Sequence, residues 1–568
     1  MKKFKVCLVM CFAMGIALTS WSSVFAVNYE IDGHTISMDG FFRQEVAYNP
    51  NDDSPQNNEG IQSVYSMLYT DISSEFGRNW EVRGIFRLWG DWAYEINQSD
   101  GHWKKFFGPA RHNQAIHDDF SDIVRELYAT YTTDWLQVRA GRQQIGWGEA
   151  DGLRVMDVIN PLDLRRGPFY DTQGYSQVRI PKWLIKTELY PQAMGPVSDI
   201  ALQFVLNPGD NREQQQLQLP DYVDAHVLGW NTALGENSPY YGQESVSIPN
   251  NAGVWAVETP NYHVAPFQFN FKKRDDSFDN AEFGSRLAFN ISGTSMTLNY
   301  WNGFGHEHLF DFQKLDYHPR GISLPVAADG SGNPVFVPVA IYADFWYPRV
   351  EYAGLTANRE IEWLSKLLRI NTNPVLRCEG LYSFDQQLQS TETPQVAHPF
   401  LGLAPTDIFK IHESDQIRGM IGFDWPIRIG FINPKKNIFI SGQYFHIYTV
   451  DMPGGTDSGL FPGTTASQGS RLTLDGSPYK TLTLGRNQSF CTLLLMTDYM
   501  NEKIAPSVLY VQDLSNGSCW VKSELAFKVG DHWRPSVRYL YVDGGYQDSA
   551  FSVYRKRDEA VLQIEYQF

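Results

Sequence analysis

The sequence predicts an all-β membrane protein: an antiparallel transmembrane β-barrel of about 16–18 strands, with inward-folded loop segments and a short amphipathic helix. Three observations predict it. The chain end alternates apolar and polar residues and stops on an aromatic, the other end reads as an export leader, and no apolar run is long enough for a helical anchor.

At the C-terminus, Leu562, Ile564, Tyr566 and Phe568 alternate with Gln563, Glu565 and Gln567. A barrel strand needs this period of two because one face meets lipid and the other the lumen. A terminal Phe with apolar residues two, four and six places before it resembles the signal by which Gram-negative barrel-assembly machinery recognises its substrates. That machinery and outer-membrane lipid are therefore expected partners. An ordinary edge strand of a soluble β-protein alternates in the same way, so the other end has to decide.

There, Lys2, Lys3 and Lys5 precede an apolar stretch at 6–18 and a polar stretch ending in Ala26. These are the three regions of a signal peptide. The expected division is a signal peptide at 1–26, cleaved near Ala26, and an outer-membrane barrel at 27–568. Cys7 and Cys11 leave with the leader. Cys378, Cys491 and Cys519 remain, too sparse and too odd a set for a disulfide framework. A single bridge and buried thiols both stay open.

The formal net charge is -17, and losing the three leader lysines makes it more negative still. Such a surface repels phosphate backbones and disfavours nucleic acid as a partner. Aromatic residues make up 14% of the chain, which suits interfacial girdles and also suits glycan binding.

Strand alternation recurs between the ends. Glu81, Arg83, Arg87 and Asp91 share one face of their segment, opposite apolar residues and glycine. Lys522 and Glu524 lie opposite Val521, Ser523 and Leu525; Arg418 and Asp424 opposite Ile417, Ile421 and Phe423; Arg377 and Glu379 opposite Leu376, Cys378 and Tyr382. Lipid outside and a charged lumen inside explain the split, and most of these charges are expected to pair and brace the wall.

The stretch 207–263 has little strand alternation and reads as a long connector, and a second long connector runs over 305–348. The first is expected to be an extracellular loop, folded inward. Residues 359–370 change period: Ile361, Leu364 and Leu368 fit a 3.6-residue stripe, and Asn373 with Pro374 should end that helix. It is expected to rest on the membrane interface or against the lumen.

The densest polar region runs from Trp135 to Arg166 and holds Arg139, Arg142, Glu149, Arg154, Asp157, Asp163, Arg165 and Arg166. Alternation puts Arg139 on the lumen face and Arg142 on the lipid face, unless the strand is irregular there. The glycines flanking Trp147 suggest such an irregularity.

Three blocks in this region, Gly141-Arg142-Gln143, Trp147-Gly148-Glu149 and Asn160-Pro161-Leu162-Asp163, are similar to the signature of a family of Gram-negative outer-membrane proteins catalogued as a domain of unknown function. Val178 to Trp183 resembles that family's next block. The resemblance implies an outer-membrane barrel, sometimes encoded near inner-membrane RND-type exporters and a periplasmic lipid-carrier-like protein, which become expected partners. It brings no catalytic residues.

From the residues themselves, 143–166 is expected to turn into the lumen and form a pore constriction from Arg139, Arg142, Glu149, Arg154, Asp157, Asp163 and Arg166. The plainer reading is a wall-bracing or periplasmic turn with structural Arg–carboxylate pairs. His306 and His308 lack a third metal ligand, and no nucleophile elbow, phosphate loop or zinc Cys pair occurs. No metal, no cofactor and no enzymatic activity are expected. The function expected is passage of a small solute or a hydrophobic, lipid-like molecule across the outer membrane. The alternative is a surface-binding protein or adhesin working through long extracellular loops.

Overall fold

The computed structural model describes residues 27–31, 34–50, 60–96, 116–117, 120–163, 175–210, 245–250, 253–258, 267–272, 274–306, 309–328, 334–369, 372–389, 411–451, 486–515, 517–543 and 558–568. Eighteen strands form a closed ring. In chain order they are β1 (His34–Asn49), β2 (Gly60–Phe76), β3 (Trp80–Asp91), β4 (Val124–Thr132), β5 (Leu136–Gln143), β6 (Lys182–Leu189), β7 (Val197–Asn207), β8 (Glu282–Ile291) and β9 (Thr294–Phe304). There follow β10 (Arg349–Glu360), β11 (Val375–Gln389), β12 (Ile411–Ile427), β13 (Ile438–Thr449), β14 (Asn487–Met496), β15 (Ile504–Asp513), β16 (Cys519–Phe527), β17 (Ser536–Asp543) and β18 (Glu559–Gln567).

Each strand pairs antiparallel with the next, and β18 returns to β1 with Tyr566 opposite Phe42 and Leu562 opposite Val46. Phe568 completes the seam: its N–H donates to the Gly40 carbonyl at 3.0 Å and its carbonyl accepts from Gly40 N–H at 3.1 Å. The alternating C-terminal segment is thus the closing strand. Closure leaves no unpaired edge, the condition for strands to cross an apolar medium.

The pairing register carries the alternation round the wall. Leu562, Ile564, Val537, Tyr539, Ile417 and Ile421 are exposed outward, while Glu565, Arg538, Arg418, Glu379, Arg377, Arg83 and Asp71 share the lumen side. Ion pairs brace that side, with Arg43 to Glu565 at 2.6 Å, Arg538 to Glu45 at 3.2 Å, Arg83 to Asp71 at 2.5 Å and Arg377 to Asp424 at 2.7 Å. Cys378, Cys491 and Cys519 are free, half-buried thiols on the outward-facing register of β11, β14 and β16.

Connections at the end holding Phe568 are short, such as 77–79, 133–135 and 292–293, whereas 208–281 and 305–348 lie at the other end. In outer-membrane barrels the short turns face the periplasm. The 305–348 connector, expected from sequence only as long, carries strands of its own. It holds the strands Leu309–Ala328 and Pro334–Trp346, antiparallel to each other, and Phe267–Phe271 adds parallel to the second. The 207–263 stretch contains the hairpin Ser245–Asn250 with Gly253–Glu258, and its residues 211–244 lie outside the described residues. Both stretches escaped detection because their apolar and polar residues do not alternate cleanly.

The expected helix is present as α1 (Glu362–Leu368) in the β10–β11 connection. It stops before Asn373 and Pro374, because Arg369 adopts a left-handed conformation (φ 54°, ψ 42°) and donates its N–H to the Ser365 carbonyl. A left-handed residue closes the helix end and satisfies one of its free carbonyls.

Candidate functional site

Residues 144–163 leave β5 and turn inside the barrel rather than arching away from it. Their apolar side chains, Ile145, Trp147, Leu153, Val155, Met156, Val158 and Ile159, form one buried cluster with lumen-facing residues of the wall from Leu184 on β6 to Phe490 on β14. Trp147 packs edge-on against Trp301, with ring centroids 6.2 Å apart, in a space kept open by Gly284 on β8. A Cβ at Gly284 would sit 2.6 Å from the Trp301 ring and 2.7 Å from that of Trp147.

The start of the segment is set by Gly141. Its φ of +135° is a conformation that L side chains rarely adopt. There the alternation breaks, and Arg142 is 2% exposed, donating to the Ser121 carbonyl at 3.0 Å. The irregularity that takes Arg142 away from lipid is thus Gly141 itself, upstream of the glycines beside Trp147. Asn160 fixes the return of the segment: its Oδ1 accepts Ile145 N–H at 2.7 Å and its Nδ2 donates to the Ile180 carbonyl at 2.8 Å.

Polar groups pin the tip of the segment to β10–β13. Glu379 accepts the backbone N–H of Glu149, and that of Met156 at 3.0 Å. Arg377 donates to the Glu149 carbonyl and to Asp151 Oδ2, the latter at 2.6 Å. Gln443 Oε1 accepts Asp151 N–H at 2.9 Å, and its Nε2 donates to Asp151 Oδ2 at 2.9 Å. Asn358 donates to the Glu149 side chain. Higher on the wall, Trp147 Nε1 donates to Gln203 at 2.6 Å, and Gln203 donates onward to Glu188 at 2.6 Å.

The residues singled out from sequence fall into separate places. Arg154 and Asp157 are together, at 3.7 Å, and share their site with Arg179, which bonds Asp157 at 2.9 Å, and with His306, whose Nδ1 is 3.4 Å from Arg154. Glu149 lies at the tip, on the β10–β11 wall. Arg139 sits on β5 over the Tyr128 ring, 4.4 Å from its centroid, and donates to Thr130 at 3.2 Å. Asp163 stays near the segment's return, 3.6 Å from Arg87. Arg165 and Arg166 lie outside the described residues. Burial holds the His306 imidazole well below its usual basicity, and the cations Arg154 and Lys182 push in the same direction.

Sequence reading missed the receiving half of this site. Arg377 and Glu379 were legible as lumen-facing, but nothing in their spacing names residues more than two hundred positions away as their partners. It also missed the Lys182–Glu282 ion pair, almost sealed from water, whose carboxylate accepts Phe304 N–H at 2.9 Å and Asn207 at 2.7 Å. Arg286 on β8 was missed as well. It is lumen-facing, with Glu149, Glu188 and Glu379 in its field, and its side chain makes no hydrogen bond or ion pair among the described residues.

A family model described as "Protein of unknown function (DUF1302)" matches residues 10–568. The chain belongs to the DUF1302 family. In this DUF1302 barrel, Gly141 to Gln143 end β5, and Trp147 to Glu149 and Asn160 to Asp163 lie on the stretch that turns into the lumen. No curated protein matches the chain. Among solved structures, it is similar to the outer membrane protein opdK of Pseudomonas aeruginosa, at 9% identity and a TM-score of 0.41, covering 94% of this chain and 98% of that one. It is similar to OccAB2 of Acinetobacter baumannii at 8% identity and a TM-score of 0.40, covering 95% and 98%. For OmpF of Salmonella typhi, in complex with daunomycin, the values are 10%, 0.35, 95% and 100%. Likeness at this level carries no functional argument, and the fold rests on the strand pairing described above.

Proposed function

We propose that this chain is an outer-membrane channel, exported with removal of a leader near Ala26, that passes a small solute or a hydrophobic, lipid-like molecule through a lumen narrowed by residues 144–163. The observation that carries the reading is the clamp itself: a segment inside a closed barrel, held to the wall through Glu379, Arg377 and Gln443. A loop folded against the inside of a barrel narrows the path that remains, and a wall with ionic groups on its lumen face keeps that path wet. Arg139, Glu149, Arg154 and Asp157 are the constriction candidates of this reading, with Arg142 and Asp163 at its flanks, and Arg166 is a further candidate outside the described residues.

Two cargo classes have support on the lumen face. The ladder of Arg43, Glu45, Glu565 and Arg538 suits a hydrophilic solute. The tier of Leu509, Val511, Trp520, Leu540 and Val542 on β15–β17 suits an apolar one. A periplasmic carrier and an RND-type exporter are the partners a hydrophobic cargo would call for.

Planar-bilayer recording of the purified protein tests the channel. Discrete conductance steps, changed in size or selectivity by Arg154→Ala and Glu149→Ala, are expected. A correctly assembled protein that conducts nothing and retains a glycan or cell partner would instead be the surface-binding alternative. Mass spectrometry of molecules that co-purify from native membranes separates the two cargo classes.

A further inference from the structure

The rim of short connections between β10 and β13 carries an apolar surface that barrel closure does not require. Helix α1 leaves Trp363 and Leu367 65% and 69% exposed, and in the β12–β13 connection, 428–437, Phe431 is 90% exposed beside Ile432. These groups stand on a fixed platform. Ser365 is buried and donates to the Thr372 carbonyl at 2.9 Å. Asn433, 1% exposed, donates to Thr497 at 2.9 Å and to the Asp498 carbonyl at 2.8 Å, and Tyr499 donates its hydroxyl to the Ile432 carbonyl at 3.1 Å.

One bond gives the platform its direction. Trp425 shares the outward register of β12 with Ile417, Ile421 and Phe423, and its Nε1 donates to the same Thr372 carbonyl at 3.3 Å. The α1 connection therefore lies over the lipid-facing edge of the wall and continues its apolar surface. The charge of the two connections is opposite to that of the chain. Lys366, Arg369, Arg428, Lys435 and Lys436 stand there against the single acid Glu362, although the whole chain is at -17. Lys366 is partnered by Glu362 at 3.1 Å and Lys436 by Asp498 at 3.7 Å, while the side chains of Arg369 and Lys435 make no bond among the described residues.

We propose that this arc docks into the headgroup layer of an anionic phospholipid leaflet, with Trp363, Leu367 and Phe431 inserted among the acyl chains and Arg369 and Lys435 on the phosphates. Exposed apolar side chains flanked by cations are the chemistry of an interfacial segment. The inference rests on the barrel standing in a membrane and is independent of what the lumen carries.

The test uses the full barrel with Cys378, Cys491 and Cys519 changed to Ser, a single Leu367→Cys or Phe431→Cys, and a bimane label on the new thiol. Each folded protein, selected by heat-modifiable gel mobility, is placed in phosphatidylcholine vesicles with or without phosphatidylglycerol. Brominated acyl chains are expected to quench both labels severalfold more than aqueous iodide does, and phosphatidylglycerol is expected to strengthen that difference. Arg369→Gln with Lys435→Gln should abolish the phosphatidylglycerol effect. Labels as open to iodide as one at Ser292→Cys, in the short β8–β9 turn, would overturn the proposal and make the platform a site for a periplasmic protein. Quenching that ignores phosphatidylglycerol would overturn the anionic part. Bilayer conductance is measured on the same preparations, so failure here and failure of the channel reading are read separately.

Discussion

The backbone N–H of Met156 donates at 3.0 Å to Glu379, a wall residue 223 positions later in the chain. The other oxygen of that carboxylate takes the N–H of Glu149, so a single side chain holds both passes of the inward segment. Hydrogen bonds to a charged acceptor contribute about 1.5–3 kcal/mol each, enough to fix a segment that has no secondary structure of its own. Glu379→Ala should release the tip from β11 and give larger, noisier single-channel currents. Glu379→Gln, which keeps one acceptor oxygen, should fall between Ala and wild type. Identical current traces for wild type and Glu379→Ala would show that the clamp does not limit the path.

The wall was legible in sequence for a physical reason. Lipid on one side and water on the other impose a period of two, and Glu81 through Asp91, Arg377 with Glu379, and Leu562 through Phe568 all sit on the faces their alternation assigns. The site was legible only as one half of a contact. Glu149 and Asp157 stood out as charges in a non-strand stretch; Asp157 pairs nearby with Arg154 and Arg179, but the partners of Glu149, namely Asn358, Arg377 and Glu379, come from strands brought near by barrel closure, which local spacing does not encode. The end of α1 was misplaced because Arg369 takes a left-handed conformation usually left to Gly or Asn.

Arg286 is expected to set charge selectivity. It is a lumen-facing guanidinium without an ion pair among the described residues, whereas Glu149, Glu188 and Glu379 nearby are occupied by hydrogen bonds. Arg286→Ala should shift the reversal potential under a salt gradient toward cation preference, with a smaller change in conductance. The conservative Arg286→Lys should keep most of the wild-type value. A reversal potential unmoved by the Ala variant would place Arg286 off the ion path.

The Lys182–Glu282 pair joins the top of β6 to the top of β8 across β7, with side chains 2% and 0% exposed. Removing one partner from a buried pair strands the other charge and costs about 3–5 kcal/mol, whereas an apolar replacement of both is often nearly neutral. Glu282→Ala should therefore lower the denaturant midpoint of the barrel markedly, and Lys182→Met with Glu282→Leu should recover much of the loss. Equal midpoints for the single and double variants would mean that lost packing, not the stranded lysine, dominates.

His306 gives the barrel a pH dependence of definite sign. Its Nε2 is buried, its Nδ1 lies 3.4 Å from the Arg154 guanidinium, and Lys182 and Arg274 also oppose a positive charge there. The folded protein therefore binds a proton on this ring more weakly than the unfolded chain, whose imidazole titrates near 6.5. The stabilisation is complete above that value and is lost progressively as the pH falls below it, because the unfolded state gains the proton first. Between about pH 6.5 and 5.5, above most of the carboxylate range, the thermal midpoint should decline in wild type and decline less in His306→Asn, which keeps a neutral polar group against Arg154. Parallel slopes in the two proteins over that window would assign the pH dependence to other groups.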